Sequence, residues 1–527
     1  MKKMKFISGL VLLFCCTGLG AQENLSALIP MPNHIELQTG KKDFVVSGTT
    51  GVQSDLPKGS FVERRLLEVL QRHMNVAPTA TKGKSNIRLV LDPSMQGPEH
   101  YRLQVKDKEL LIQGATEGAL LYGVMTLDQL LQGDVVRTRS GRIAPVLIDD
   151  TPRFAYRSLM LDPARHFLPI NDVKFYIDQM VRFKYNVLQL HLTDDQGWRM
   201  EIRQHPELTK NGPFYTQEEL KDLVRYAAER NVQLIPEFDI PGHTASLLSV
   251  HPELACSNRR GETITDKTTN VMLCADNPAV YTLYRDILKE VAAVFPSPYI
   301  HLGGDESAIE HNWAKCTDCI ALRDSLQYTE PAQLMNYFFK HILSYVRENG
   351  KRAMLWCELD NIRMPASRYL FDYPKDVTLV SWRAGLTPLC QQLTAASGHA
   401  LLMAPGEYAY FDYPQYKNDF PEFNNWGMPT TTLETVYRFD PAYGKPAAEH
   451  QHILGVNGTL WGEAIPNINR ATYMTYPRAL ALAEAGWTQM EHRSWDSFKQ
   501  RLYPNLLMLM QAGVSVRVPF EIVPRQQ

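Results

Sequence analysis

Eight short apolar runs recur along the chain from Ser158 onward, with helical patterns between them. They are SLMLD (158–162), VLQLHL (187–192), VQLIPEFD (232–239), YIHLGGDE (299–306), RAMLWCE (352–358), VTLVSWR (377–383), HALLMAP (399–405) and GVNGTLWGE (455–463). Amphipathic stretches such as Asp172–Phe183, Gln217–Glu229, Pro278–Phe295 and Pro331–Glu348 separate them. A strand that is apolar on both faces belongs in a parallel sheet clothed by helices. Eight such units predict an α/β fold, a (β/α)8 TIM barrel, rather than an open sheet. Upstream, YRLQV (101–105) and ELLIQG (109–114) read as a hairpin, and Glu117–Leu131 as an amphipathic helix. Residues 22–150 are therefore expected to form a small non-catalytic α+β domain and residues 151–527 the barrel. The break falls near Ile148–Pro152.

The runs end in a consistent way. Asp162 and Arg165, Asp194 and Asp195, Glu237 and Asp239, Asp305 and Glu306, Trp356 and Glu358, Trp382 and Arg383, Glu407 to Asp412, and Trp461 and Glu463 all sit at or just beyond a run's C-terminal end. Any single strand can end in polar residues for solubility alone. Eight in succession point to the mouth where barrel enzymes keep their chemistry. Within HLGGDE, two glycines permit a tight turn that presents Asp305 and Glu306 together. Repulsion between buried neighbouring carboxylates raises one pKa, so that one group can stay protonated as a general acid. The blander reading of Asp305 is a helix N-cap. Trp356, Trp382 and Trp461, with Tyr408, Tyr410 and Tyr413, would each pass individually as core. Gathered beside carboxylates, they suit a sugar. The charge balance, 55 basic against 57 acidic side chains, argues against a nucleic-acid ligand.

In LMLDPARHF (159–167), HLTDDQGWRMEI (191–202), PEFDIPGHT (236–244), HLGGDE, LWCE (355–358), VSWR (380–383), YFD (410–412) and LWGE (460–463), the chain resembles exo-β-N-acetylhexosaminidases of glycoside hydrolase family 20. The motifs occur in family order over residues 155–520, and the N-terminal part is similar to the small domain preceding that barrel. The resemblance implies hydrolysis of terminal β-linked GlcNAc, with GalNAc left open, by substrate-assisted retention through an oxazolinium intermediate. Glu306 would be the acid/base, Asp305 would hold the acetamido N–H, and Tyr410 would donate to the acetamido carbonyl. Tyr410 is preferred to Tyr408 by its spacing to Asp412. Trp356, Trp382 and Trp461 would wall the acetamido pocket. Arg165 would bind O3 and O4, with Glu463 as a second ligand and Asp412 near O6. Asp194 and His243 would shape the site, and Asp239 would support the acid's protonation. The partner implied is a glycan ending in N-acetylhexosamine, with no cofactor and no metal. Chain length leaves no room for the C-terminal modules of some larger relatives.

Three alternatives belong beside this reading. One is a lacto-N-biosidase or a relative specific for sulfated GlcNAc. Another is a glycan-binding barrel without catalysis. The third is a metal-dependent hydrolase using His191, His243 and His301. Oligomeric state, monomer or dimer, is open.

At the N-terminus, three lysines in Met1–Lys5 precede an apolar run, Phe6–Cys16, and the small residues Gly18, Gly20 and Ala21. Residues 1–21 read as a secretory signal peptide. That implies export to the periplasm, the outer surface or the medium. Phe14 and Cys15 fit lipoprotein processing poorly. No later segment offers the ~20 uncharged residues of a membrane span. Six cysteines follow the signal. Cys256 and Cys274 are expected to close one loop as a disulfide. Cys316 and Cys319, a C-x-x-C without a second such pair, read as a disulfide or two free thiols rather than a metal site.

Overall fold

Apolar and polar residues that alternate with a period of two let one face of a strand be buried. Tyr101–Lys106 and Glu109–Gly114 alternate in this way and pair antiparallel. The computed structural model describes residues 25–38, 40–74, 85–137, 141–358, 372–417, 419 and 429–522. The signal-peptide segment 1–21 lies outside them. The two strands, β4 and β5, belong to a six-stranded sheet with β1 (Ile35–Leu37), β2 (Thr50–Ser54), β3 (Ser85–Leu91) and β6 (Val146–Asp150), ordered β1-β6-β4-β5-β3-β2. Helices α1 (Phe61–Met74) and α2 (Glu117–Arg137) pack together, and α2 lies against the sheet.

The expectation of an amphipathic α2 needs correcting. Every residue from Ala119 to Gly133 is buried. Beyond the sheet, α2 also meets Leu25–Ala27, Ile170–Arg182 and Trp495–Gln511, so little of it is left for solvent. A helix covered on all sides has no reason to keep a polar face. The junction with the barrel holds a buried cation. Lys184 Nζ donates to the Tyr101 hydroxyl (3.0 Å) and lies 3.6 Å from Asp150, against the Trp487 ring.

The eight apolar runs form the parallel strands β7 (Tyr156–Leu161), β8 (Val187–His191), β9 (Gln233–Glu237), β10 (Tyr299–His301), β11 (Arg352–Trp356), β12 (Thr378–Ser381), β13 (Ala400–Met403) and β14 (Ile453–Gly458). β14 pairs with β7, Gly455 opposite Tyr156, which closes the barrel. Among the expected amphipathic stretches, α3 (Ile170–Arg182), α4 (Gln217–Glu229), α5 (Pro278–Val294) and α7 (Leu334–Glu348) are helices, and α6 (Thr317–Ser325) is inserted before α7. Local signals set their starts: a Thr216–Glu219 capping box opens α4, and Asn277 caps α5 with Pro278 in the first turn.

Along each strand, alternate residues face outward to the helices or inward. Val187, Ile235, Met354, Val380 and Leu402 share an inner cluster. A polar ladder rises beside it: Asn457 donates to Gln189 (2.8 Å), and Gln189 donates to Glu237 (2.7 Å). β10 is much shorter than YIHLGGDE, because Gly303 and Gly304 leave the strand with φ of 64° and 95°. Among the described residues no helix is long and apolar enough to cross a membrane.

The expected Cys256–Cys274 disulfide needs correcting, because it is not formed. None of the six described cysteines is in a disulfide, which for Cys316 and Cys319 is one of the two expected states. The two pairs lie far apart in sequence, yet loops from successive barrel units bring Cys256, Cys274, Cys316 and Cys319 to one buried point.

Candidate active site

The turn after β10 organises the mouth. Gly304 N–H donates to Asp239 Oδ1 (3.1 Å), and a Cβ on Gly303 would overlap that same carboxylate. The turn delivers two unlike acids. Asp305 keeps 10% of its side chain exposed and Glu306 keeps 51%, the latter with a left-handed φ of 44°. Sparsely populated backbone of this kind persists only where the surroundings hold it. Burial falls on Asp305. It pushes that carboxyl up, His243 opposes the shift, and Glu306 and Glu237 add to it. Asp239 is pushed well above the carboxylate range, by burial first and by Asp305 second. Asp305 and Asp239 thus form a buried pair of carboxyls, both with raised pKa values. Glu306 faces a cleft of about 620 Å³ lined by His243, Asn270, Val271, Ile309 and Arg383, among others.

His243 joins the acids to a charge network. Its Nε2 lies 3.8 Å from both Asp305 and Glu306, and its Nδ1 lies 3.3 Å from Asp194. Burial would lower its pKa, but Asp194 and then Asp239 and Asp305 hold it well above the ordinary histidine value. Asp194 also takes Arg165 at 2.7 Å and His191 at 2.9 Å. Burial disfavours its charge, yet Arg165 and then His243 hold it well below the usual range. A second carboxylate, Asp162, pairs with Arg165 at 3.1 Å, and the guanidinium lies over the Trp461 ring. The guanidinium is thus fixed before any ligand arrives.

Aromatic rings adjoin this charge network. Trp356 and Trp461 meet with centroids 5.7 Å apart, and Tyr410 reaches Trp461 at 6.2 Å. Trp382 packs against the same inner cluster. The ring of Trp356 is locked by donation from Nε1 to Glu237 (2.8 Å). Tyr408 stacks on Phe439 at 5.0 Å, whereas Tyr410 packs beside Trp461 and Tyr413. Asp412 is pushed up to about 8, by burial and then by Glu463, which also acts on Arg165. Among the described residues, the sealed polar atoms without a hydrogen-bond partner include Asp305 Oδ1, Asp412 Oδ1, Trp382 Nε1 and Arg165 Nε at this mouth.

All twelve expected site residues thus gather at one mouth. The three histidines of the metal-dependent alternative are each engaged there by carboxylates. Glu237 lies between His191 (2.8 Å) and His301 (3.1 Å), while His243 faces Asp194. Two further contributors lie in the quoted motifs without an assigned role. Glu358 accepts the Glu306 backbone N–H (3.3 Å) and pairs with Arg383 Nε (2.6 Å). Arg383 in turn places Nη2 4.0 Å from Glu306. Both stand at strand ends and close the LWCE and VSWR motifs, but neither motif specifies these contacts.

Comparison with known proteins agrees with this geometry. Residues 154–490 match the glycosyl hydrolase family 20 catalytic domain, and residues 25–151 match domain 2 of the same family. A beta-hexosaminidase of Akkermansia muciniphila is 37% identical over 420 residues, covering 76% of this chain and 82% of its own. The crystal structure of a beta-N-acetylhexosaminidase superposes with a TM-score of 0.78 at 30% identity, covering 95% of this chain and 99% of that one. The exo-beta-N-acetylglucosaminidase of Vibrio harveyi, solved with N-acetylglucosamine, gives a TM-score of 0.79 at 29% identity, covering 94% and 78%. With both of its domains matched in order, the chain belongs to glycosyl hydrolase family 20.

Proposed function

We propose that this β-N-acetylhexosaminidase removes terminal β-linked N-acetylglucosamine from glycans by substrate-assisted retention, with Glu306 as acid and base. The observation that carries the reading is the pairing of a buried Asp305 with a half-exposed Glu306 on one turn. Retaining glycosidases that use an enzymic nucleophile need two carboxyls on opposite sides of the scissile bond, ~5–5.5 Å apart. Neighbours on a single turn meet that demand badly. They serve a different scheme well, in which the 2-acetamido oxygen of the sugar attacks the anomeric carbon.

In that scheme Glu306, facing the cleft, protonates the leaving oxygen and then takes a proton from water. Asp305 Oδ1, without a protein partner, accepts the acetamido N–H and stabilises the developing positive charge. Tyr410 donates to the acetamido carbonyl. Trp356, Trp382 and Trp461 hold that group curled beneath the ring in a near-attack geometry. Arg165, held by Asp162 and Asp194, takes the O3 and O4 hydroxyls, with Glu463 and Asp412 beside it. Asp239 and His243 support the acid pair from behind.

An aryl β-N-acetylglucosaminide tests the assignment. Glu306→Gln is expected to lose roughly 100- to 10,000-fold in kcat, the share general acid–base catalysis supplies; full retained activity would refute it. A panel of GlcNAc, GalNAc, 6-sulfated GlcNAc and lacto-N-biose glycosides ranks the specificities. The N-terminal pattern of charge, apolar run and small residues supports an exported enzyme. Fractionation of producing cells, with sequencing of the mature N-terminus, tests that.

A further inference from the structure

Four of the chain's eight cysteines meet at a single point outside the catalytic pocket. Cys256 follows β9 in the loop ahead of α5, and Cys274 closes that loop just before the helix. Cys316 is the N-cap of α6, and Cys319 lies in its first turn. All four are fully buried, and their Sγ atoms lie within 4.8 Å of one another. Cys274 Sγ is 3.6 Å from Cys319 Sγ and 3.9 Å from Cys316 Sγ.

These separations identify the arrangement. A zinc ion with four tetrahedral Zn–S bonds of ~2.3 Å spaces its sulfurs roughly 3.8 Å apart. Bonded disulfide sulfurs lie at about 2.05 Å. Thiols that merely fill a core have no reason to converge from three separate chain positions to within 4.8 Å of one another. The surroundings also favour thiolate. The N–H of Ser257 (3.3 Å) points at Cys316 Sγ, and the Ser257 hydroxyl (3.2 Å) lies beside it. The positive end of α6 faces the same sulfur. Donation of this kind orients and tunes metal ligands.

We propose that Cys256, Cys274, Cys316 and Cys319 bind one structural zinc ion, closed by four protein ligands with no position open to substrate. This changes the reading of the C-x-x-C pair, whose second ligand pair is discontinuous in sequence. The ion's place in the architecture gives it a task. The loop between Cys256 and Cys274 carries Asn270 and Val271, and Ile309 and His311 precede Cys316. All four line the cleft beside Glu306. Hydrogen bonds already bridge the two segments: Asn312 Nδ2 to Asn270 O (2.9 Å), Trp313 Nε1 to Leu273 O (2.8 Å) and Asn258 Nδ2 to His311 O (3.0 Å). The zinc staples the outer wall of the cleft where the leaving group departs.

The test uses the purified full-length protein. Elemental analysis is expected to find about one zinc per chain. A mercurial titrated against the native protein should release that zinc into a chromophoric chelator as four thiols are consumed. Intact mass under non-reducing, denaturing conditions should show every cysteine reduced. Cys319→Ser should lose the ion and Cys390→Ser should keep it. Cobalt(II) exchanged into the site should give the intense visible bands of tetrahedral thiolate coordination. Two disulfides, about 4 Da lighter by mass, would overturn the proposal. So would zinc-free protein with four free thiols that takes up no cobalt. Because the mercurial titration needs no variant, a Cys319→Ser protein that fails to fold does not blunt the test.

Discussion

Asp239 occupies the space that a side chain on Gly303 would need, and the same carboxylate accepts the N–H of Gly304. The two acids of the site are therefore aimed by a carboxylate from the preceding strand end. Gly303→Ala should add a Cβ at a left-handed φ and drive it into Asp239. Strain of that kind costs about 1–3 kcal/mol before the overlap is counted. A lower melting temperature is expected, with kcat lost even in the fraction that remains folded. Circular dichroism melts and aryl-glycoside kinetics check both, and a fully active Gly303→Ala would show that the turn can shift freely.

Glu358 holds the Glu306 backbone without touching the reacting atoms, so its effect should be positional. Glu358→Ala is expected to lower kcat on the order of 100-fold, the usual penalty for misplacing a group by about an ångström. KM should change little, because the sugar is gripped elsewhere. Glu358→Gln, which keeps an acceptor for the Glu306 N–H, should recover part of the loss. A change confined to KM would place Glu358 in binding instead.

The raised pKa of Asp239 carries a pH signature. A carboxyl whose folded pKa lies above its unfolded value near 3.8 binds its proton more tightly when folded. Its contribution to stability is present below about pH 3.8 and is lost as pH rises towards the folded pKa. Asp239→Asn imitates the protonated acid and cannot titrate. Its melting temperature relative to wild type should therefore climb with pH above about 4 and level off once the wild-type acid has ionised. A pH-independent difference would mean that Asp239 is ionised throughout.

Arg165 separates two buried carboxylates, Asp162 and Asp194. Removing one member of a buried ion pair costs about 3–5 kcal/mol, because a charge is left without a partner. Arg165→Met should be strongly destabilised. Arg165→Lys should fold better but bind the glycoside weakly, since an ammonium cannot match the planar fork. Thermal melts and KM measured side by side distinguish these two losses.

If the acetamido oxygen is the nucleophile, its electron density must set the rate. Fluorinating the N-acetyl methyl group step by step should lower kcat/KM progressively on the same aryl leaving group. The plain glucoside should be inert. A rate indifferent to fluorine would point to an enzymic nucleophile.

The barrel was legible because its information is local. Parallel strands covered on both faces must be apolar along their length, and runs such as VLQLHL carry that pattern without reference to any partner. The acid pair was legible for the same reason, since Asp305 and Glu306 are neighbours. Contacts across the barrel were not. Nothing in LWCE says that Glu358 accepts the Glu306 N–H, and nothing in a distant Cys256 says that it meets Cys319. The amphipathic expectation for α2 failed because its second cover comes from the barrel, remote in sequence. Relationships of that kind appear only once the units close on one another.

Lys184, its Nζ shared between Asp150 and Tyr101, has a consequence for cooperativity. A chain cut between β6 and β7 would strand the ammonium on one fragment and the carboxylate and hydroxyl on the other, each facing what had been interior. Each fragment would then carry an unpaired buried polar group at the former junction. Sheet and barrel should melt in a single calorimetric transition, and transplanting this barrel onto another leading domain would require carrying the junction with it.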